Sequence, residues 1–218
     1  MTAPVPVRWL AAALVVCAAL AIASAPWALA QPALNFVFKP LATIVVIVHA
    51  LQRGSDAPVP RRWVLAGLVL SLCGDVALLW PSAGFLPGLV SFLLAHLAYL
   101  VAFTRVQRLA AWPPAFLVYA GVAAIILGLL WPGVPAPLQI PVLAYVVCLA
   151  AMAAQAAVLW RRGAARGAVL ALGGALFMAS DALLAANKFA AALPLASLWI
   201  LGTYWSAQWC IASWLKPR

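Results

Sequence analysis

Acidic residues are almost missing from this chain: three aspartates (Asp56, Asp75 and Asp181) and no glutamate stand in 218 residues, against thirteen Lys and Arg. Charged residues of both signs make up 7% of it, where a soluble domain carries about a quarter. A water-soluble globular fold is therefore excluded, and a hydrophobic content of 68% excludes disorder. The formal charge of +10 does not mark a nucleic-acid binder, because the basic residues are scattered between long apolar runs. Nor do the cysteines mark a metal or disulfide framework. Cys17, Cys73, Cys148 and Cys210 fall inside apolar runs with no CxxC spacing and read as small packing residues. Long polar connections are absent as well, so residues 1–218 form a single integral membrane domain whose chemistry belongs to the helices or their mouth.

What the chain does have is apolar runs long enough to cross a bilayer, which takes about 20 residues at a 1.5 Å rise. Cutting at charges, prolines and turn residues gives eight segments: Val7 to Leu29, Asn35 to Leu51, Arg62 to Trp80, Gly84 to Thr104, Pro114 to Leu130, Leu138 to Trp160, Gly167 to Asn187 and Leu193 to Leu215. The expected fold is all-α, a polytopic membrane bundle of eight transmembrane helices. Lys and Arg set its orientation. Arg8, the group Arg53, Arg61 and Arg62, the pair Arg105 and Arg108, the group Arg161, Arg162 and Arg166, and the pair Lys216 and Arg218 fall at the termini and on alternate connections. Lys39 and Lys188, the only others, lie at the opposite ends of their helices. Both termini are therefore expected in the cytoplasm. Arg8, the apolar run and the triplet Ala28, Leu29, Ala30 also imitate a secretory signal with its cleavage site. The run is long for a signal, and retention as helix one is expected.

An ionisable group in hydrocarbon is costly unless it is paired or used. Asp75 and Asp181 both fall inside spans, each about six residues from the outer end of a helix running outward, hence about 9 Å deep. If those helices are neighbours, the two carboxyls share one cavity. His96 shares a helix face with Phe92, Tyr99 and Phe103, and Tyr204 lies one turn before Gln208, both sets nearer mid-membrane than the aspartates. Each has an ordinary reading too. His96, Tyr204 and Gln208 can be interhelical hydrogen-bonding groups, and Ser180 can bond back to its own helix. Asp181 can form a partial ion pair with Lys188, two turns on, and Lys39 and Lys188 can simply snorkel. No Lys or Arg is expected in a helix middle, and Asp56 is a surface charge among arginines.

Phe85-x-x-Gly88-Leu89-x-x-Phe92-x-x-x-His96-x-x-Tyr99, following Gly74-Asp75-x-x-Leu78, resembles the YhhN-like lysoplasmalogenase family of bacteria and its animal transmembrane relatives. Gly174-Ala175-x-Phe177-x-x-Ser180-Asp181-x-x-Leu184 is similar to that family's second aspartate motif, Tyr204-x-x-x-Gln208 to its last-helix motif, and Lys39-Pro40-Leu41 to its second-helix entry. Helices one, five and six carry nothing distinctive. The resemblance implies a multi-pass hydrolase of a cell membrane, the inner membrane in a bacterium. Its substrate would be a lysophospholipid in the bilayer, a lysoplasmalogen, whose vinyl ether is cleaved to a fatty aldehyde and glycerophosphoethanolamine or glycerophosphocholine. No cofactor is implied, and nothing sets an oligomeric state.

Vinyl ether hydrolysis needs an acid and a stabilised cation. Burial and a neighbouring carboxylate both favour the protonated form of a carboxylic acid, so one of two can keep its proton while the other is ionised. Asp75 and Asp181 are the expected catalytic pair, with the roles unassigned, and His96 orients water or shuttles a proton. Tyr99, Ser180, Tyr204, Gln208, Lys39 and Lys188 are the expected substrate contacts, the lysines facing the phosphate. Within the enzyme class, Asp75, His96 and Asp181 can instead be read as metal ligands, although no HxxxH or HxxE pair supports this. From another class, a small proton-coupled transporter of a lipid or amphiphile fits the buried aspartates. The recurrence of small-Asp-x-x-Leu at Gly74 to Leu78 and Ser180 to Leu184 favours it, as from a duplicated half.

Overall fold

The computed structural model describes residues 5–217, so Arg218, counted above with the basic side, lies outside the described residues. It contains eight α-helices: α1 (Val7–Ala23), α2 (Pro32–Leu51), α3 (Pro58–Ala77), α4 (Phe85–Thr104), α5 (Pro113–Leu130), α6 (Ala136–Arg161), α7 (Gly167–Phe189) and α8 (Ala196–Trp214), with a 3₁₀ turn at Trp131–Gly133. The described residues are all-helical, and five helices among them (α2, α4, α5 with its 3₁₀ turn, α6 and α7) are long and apolar enough to cross a membrane.

Prolines move several boundaries from those the charges suggest. α2, α3 and α5 open with Pro in the first turn, where its fixed φ suits a helix and its missing N–H costs nothing. α3 thus starts at Pro58 and takes Arg61 and Arg62 into its first turns. α1 stops at Ala23 rather than Leu29: Ser24 donates to the Ala21 carbonyl at 2.6 Å, and Pro26 cannot continue the helix. α3 ends at Ala77 rather than Trp80, in a tight return to α4. A side chain at Gly84 would collide with the Ala77 carbonyl, so only glycine closes this turn. Asp75 therefore sits in the last turn of α3.

α6 is the enclosed element, with 72% of its span buried against 11% for α5. Small residues let its neighbours approach: a Cβ on Gly174 would stand 3.1 Å from the Ala153 Cα. Such close backbone contact drives helix association where lipid is as apolar as the side chains. α3 packs on α4 and α2, α7 on α8 and α6, and α8 also reaches α2, α1 and α3. The aspartate helices α3 and α7 are not close-packed neighbours; α8 contacts both.

Candidate active site

A cavity of about 590 Å³ opens at the end of the bundle that holds the α1–α2, α3–α4 and α7–α8 connections, away from both terminal segments. Trp27, Pro81 and Asn187 line its mouth. Trp27 also ties the first connection to α8 by donating from Nε1 to Ser197 Oγ at 3.0 Å. Of the nine expected site residues, Lys39, Asp75, Ser180, Asp181, Lys188 and Tyr204 line this cavity. The other three, His96, Tyr99 and Gln208, are fully buried behind them.

Asp75 is the end point of a chain of donors. Its Oδ2 accepts from Thr43 Oγ1 at 2.5 Å and from the Tyr204 hydroxyl at 2.8 Å, while Lys39 Nζ stands 4.0 Å from Oδ1. Behind Thr43, Trp205 Nε1 donates to its hydroxyl at 3.2 Å. Behind Tyr204, Gln208 Nε2 donates to the phenol oxygen at 3.2 Å, and Gln208 Oε1 accepts from the Tyr99 hydroxyl at 2.7 Å. The Gln208 amide gives the chain its sense, since its nitrogen can only donate and its oxygen only accept. Every proton in it points toward Asp75. Such convergence favours an anion, because a carboxylate is acceptor-only and charge-assisted bonds are the stronger ones.

Asp181 has sparser company. Its Oδ2 accepts from the Tyr145 hydroxyl of α6 at 2.5 Å, and His96 Nε2 stands 3.9 Å from the same oxygen. The imidazole is boxed by the edges of Tyr145 and Phe177, and neither ring nitrogen has a partner among the described residues. Asp181 Oδ1 has no hydrogen-bond partner among the described residues, and Asp181 lines the cavity. The two carboxyls thus differ: Asp75 takes two hydroxyl donors on one oxygen and has an ammonium 4.0 Å from the other, whereas Asp181 takes a single hydroxyl.

Several expectations are corrected. Asp75 and Asp181 share a cavity, but not by equal register, since Asp75 lies two residues before the end of α3 and Asp181 eight before the end of α7. Lys39 does not sit at an outer rim; α2 begins earlier, at Pro32, and carries its side chain inward beside Asp75. Lys188 makes no ion pair with Asp181, and its ammonium lies over the Phe85 ring at 4.9 Å. Ser180 bonds not to its own helix but across to the Ile200 carbonyl of α8 at 2.9 Å. Tyr204 is not remote from the aspartate level either, because a phenol is long enough to reach a carboxylate a turn away.

Sequence reasoning missed Thr43, Trp205 and Tyr145. Thr43 follows Lys39 by four residues and so shares its helix face, a legible sign. Tyr145 is a lone hydroxyl in an apolar run, and the rule that singled out the aspartates would have flagged it. No group of three His, Cys, Asp or Glu side chains able to share a metal ion occurs among the described residues. Asp75 Oδ2 already accepts from two hydroxyls.

Comparison with known proteins follows the same motifs. A lysoplasmalogenase of Sus scrofa is 38% identical over 170 residues, covering 78% of this chain and 69% of the relative. A human lysoplasmalogenase is 39% identical over 143 residues, 65% of this chain and 58% of the relative, and a lysoplasmalogenase of Mycobacterium bovis is 33% identical over 175 residues, 74% and 61%. The chain thus spans about three fifths of the human and mycobacterial relatives' length. No solved structure matches it. The profile of the YhhN family matches residues 34–215, which run from the start of α2 through α8 and hold every residue of the two carboxylate environments, and the chain belongs to that family.

Proposed function

We propose that this multi-pass membrane protein is a hydrolase that cleaves the vinyl ether of lysoplasmalogens, as the names of its relatives state for them. The observation that carries the reading is the pair of unlike carboxyls on one cavity, Asp75 with two hydroxyl donors and an ammonium nearby, Asp181 with a single hydroxyl donor. Asp181, as the acid, gives its proton to the outer alkene carbon, and the π electrons form the new C–H bond. The positive charge left on the ether carbon and oxygen is offset by the Asp75 carboxylate across the cavity. Water then adds to that carbon and loses a proton to the Asp181 carboxylate, giving a hemiacetal. Asp181 then gives its proton to the glycerol oxygen and takes the hemiacetal hydroxyl proton in return, so the C–O bond breaks, aldehyde and the glycerophospho alcohol leave, and Asp181 is again the acid. His96, beside Asp181, supports the proton exchange. Lys39 and Lys188, the two cations on the cavity wall, meet the phosphate, and Ser180 shapes the wall between them. Tyr99 and Gln208 act through Tyr204, as positioning residues rather than substrate contacts.

With eight membrane crossings and both termini in the cytoplasm, the cavity would open to the outer face of a bacterial inner membrane, where the relative scarcity of Lys and Arg leaves Lys39 and Lys188 as the local cations. The decisive assay follows aldehyde release from a 1-alkenyl lysolipid by purified protein in detergent. Asp75→Asn and Asp181→Asn should each abolish it while the protein elutes and melts as wild type does. Near-wild-type turnover by either removes the carboxylate pair from the mechanism. Wild-type protein in vesicles that takes up lysolipid without releasing aldehyde would replace the hydrolase with a transporter.

A further inference from the structure

A second hollow adjoins the first. It is a crevice of about 90 Å³ between α4, α5, α6 and α7, and the only polar side-chain atoms in its walls belong to Asp181 and Tyr145, which bond each other. Leu78, Phe85, Phe92, Asp181 and Leu184 line both hollows, so the two are continuous and Asp181 stands at their junction. Asp75 and both lysines line only the polar one.

The crevice follows α7 from Met178 to Phe189, roughly 16 Å along the axis at 1.5 Å per residue. Its deep end is walled by Ala123, Leu149 and Met178, further from the mouth than Asp181. α5 is its thin outer wall: Leu117, Val118, Ile125 and Leu129 face outward, and only Ala115 and Ala123 are buried. An apolar slot that is narrow, elongated and entered past a carboxyl has the shape of a single hydrocarbon chain, with no polar group beyond the bonded Asp181 and Tyr145 for a head group or sugar.

We infer that this crevice holds the hydrocarbon chain of a single-chain lipid, with the head group in the polar cavity, so that the first carbons of the chain pass Asp181. The inference rests on the proposed reaction for the identity of the lipid, and it explains why Asp181 rather than Asp75 meets the alkene. Because the chain leaves a bilayer that is equally apolar, the crevice contributes orientation and chain-length selection more than affinity. About 4.5 Å of slot lies on the Met178 side of Asp181 and about 12 Å on the Phe189 side, so the whole slot limits the chain that fits. Ala123→Phe, or the milder Ile126→Trp on the half-buried face of α5, shortens the slot, and Leu149→Ala lengthens it.

The test compares kcat/KM for 1-hexadecenyl and 1-octenyl lysolipids. Ala123→Phe and Ile126→Trp should lower the hexadecenyl value at least about tenfold relative to the octenyl value, the discrimination an apolar pocket gives against excess length. Leu149→Ala added to Ala123→Phe should restore part of it. An unchanged ratio in either variant, with melting as in wild type, overturns the inference while leaving the hydrolase intact. If the wild type releases no aldehyde, the proposed reaction fails instead, and the crevice is judged by non-hydrolysable 1-O-hexadecyl and 1-O-octyl lysolipids in thermal-shift titrations. Ile126→Trp should then lose stabilisation by the longer lipid alone, and equal stabilisation by both would refute the crevice as a chain site.

Discussion

Replacing Tyr204 with Phe removes one hydroxyl and leaves the ring, which packs edge-on against Phe92 and Phe177 at centroid distances of 5.8 and 5.6 Å. Two bonds are lost, the 2.8 Å donation to Asp75 and the 3.2 Å bond accepted from Gln208. A hydrogen bond to a charged group is worth about 1.5–3 kcal/mol. If that bond holds the Asp75 anion in place against the developing cation, its loss lowers kcat about 10- to 150-fold, at 1.36 kcal/mol per tenfold. Thr43 and Lys39 remain, so the loss should stay well short of that of Asp75→Asn. Tyr99→Phe supplies the comparison. It also deletes a buried hydroxyl, leaving Gln208 Oε1 unpaired at a cost of about 1–3 kcal/mol, but it acts on Asp75 only through Gln208 and Tyr204. Stability and activity should therefore rank differently: similar drops in melting temperature, and a kcat loss several-fold smaller for Tyr99→Phe. The assay couples aldehyde release to NADH oxidation by an added alcohol dehydrogenase, beside thermal unfolding of the same samples. Full kcat in a folded Tyr204→Phe protein would refute the donor chain as the means by which Asp75 is held charged, and equal kcat losses in the two variants would reduce it to a packing device.

Three further outcomes are expected. Gly67→Ala sets a methyl group against the Tyr99 ring on a well-packed face, so it should cost about 1–3 kcal/mol of stability, seen as a lower melting temperature, and lower kcat by displacing the donor chain. Arg53→Ala should destabilise the end of the bundle opposite the cavity without changing KM. Its buried guanidinium donates to the Leu215 carbonyl at 2.8 Å past the end of α8, far from the cavity, so limited proteolysis should cut the C-terminal segment sooner. Aldehyde release should persist in strong chelators; a loss restored by added metal would revive a metal-centred mechanism.

How much of this was legible in the chain differs from residue to residue. Asp75 and Asp181 stand out because an acid in an apolar run is an anomaly any window detects, and their joint place on one cavity agrees with the expectation drawn from them. The same logic applied to hydroxyls would have found Tyr145, whereas Trp205 gives no sign, since tryptophan is common at such positions. Lys39 was misread because its place near a predicted helix end suggested a snorkelling cation, and Pro32 extends the helix around it.

The sequence alone determined the all-helical class, the number of helices, the short connections and the two buried acids. These are properties of single residues and short windows, namely the cost of moving each group into hydrocarbon and the prolines and glycines that punctuate a helix. Only the tertiary structure decided which side of each helix faces its neighbours. Helices apolar on nearly every side carry no stripe to fix their rotation, and lipid outside is as apolar as the protein inside. That rotation turned Lys39 and Thr43 toward Asp75, brought Tyr145 rather than Lys188 to Asp181, and left a crevice beside α5. Close packing of small residues and hydrogen bonds between distant segments set it, and neither is visible along the chain.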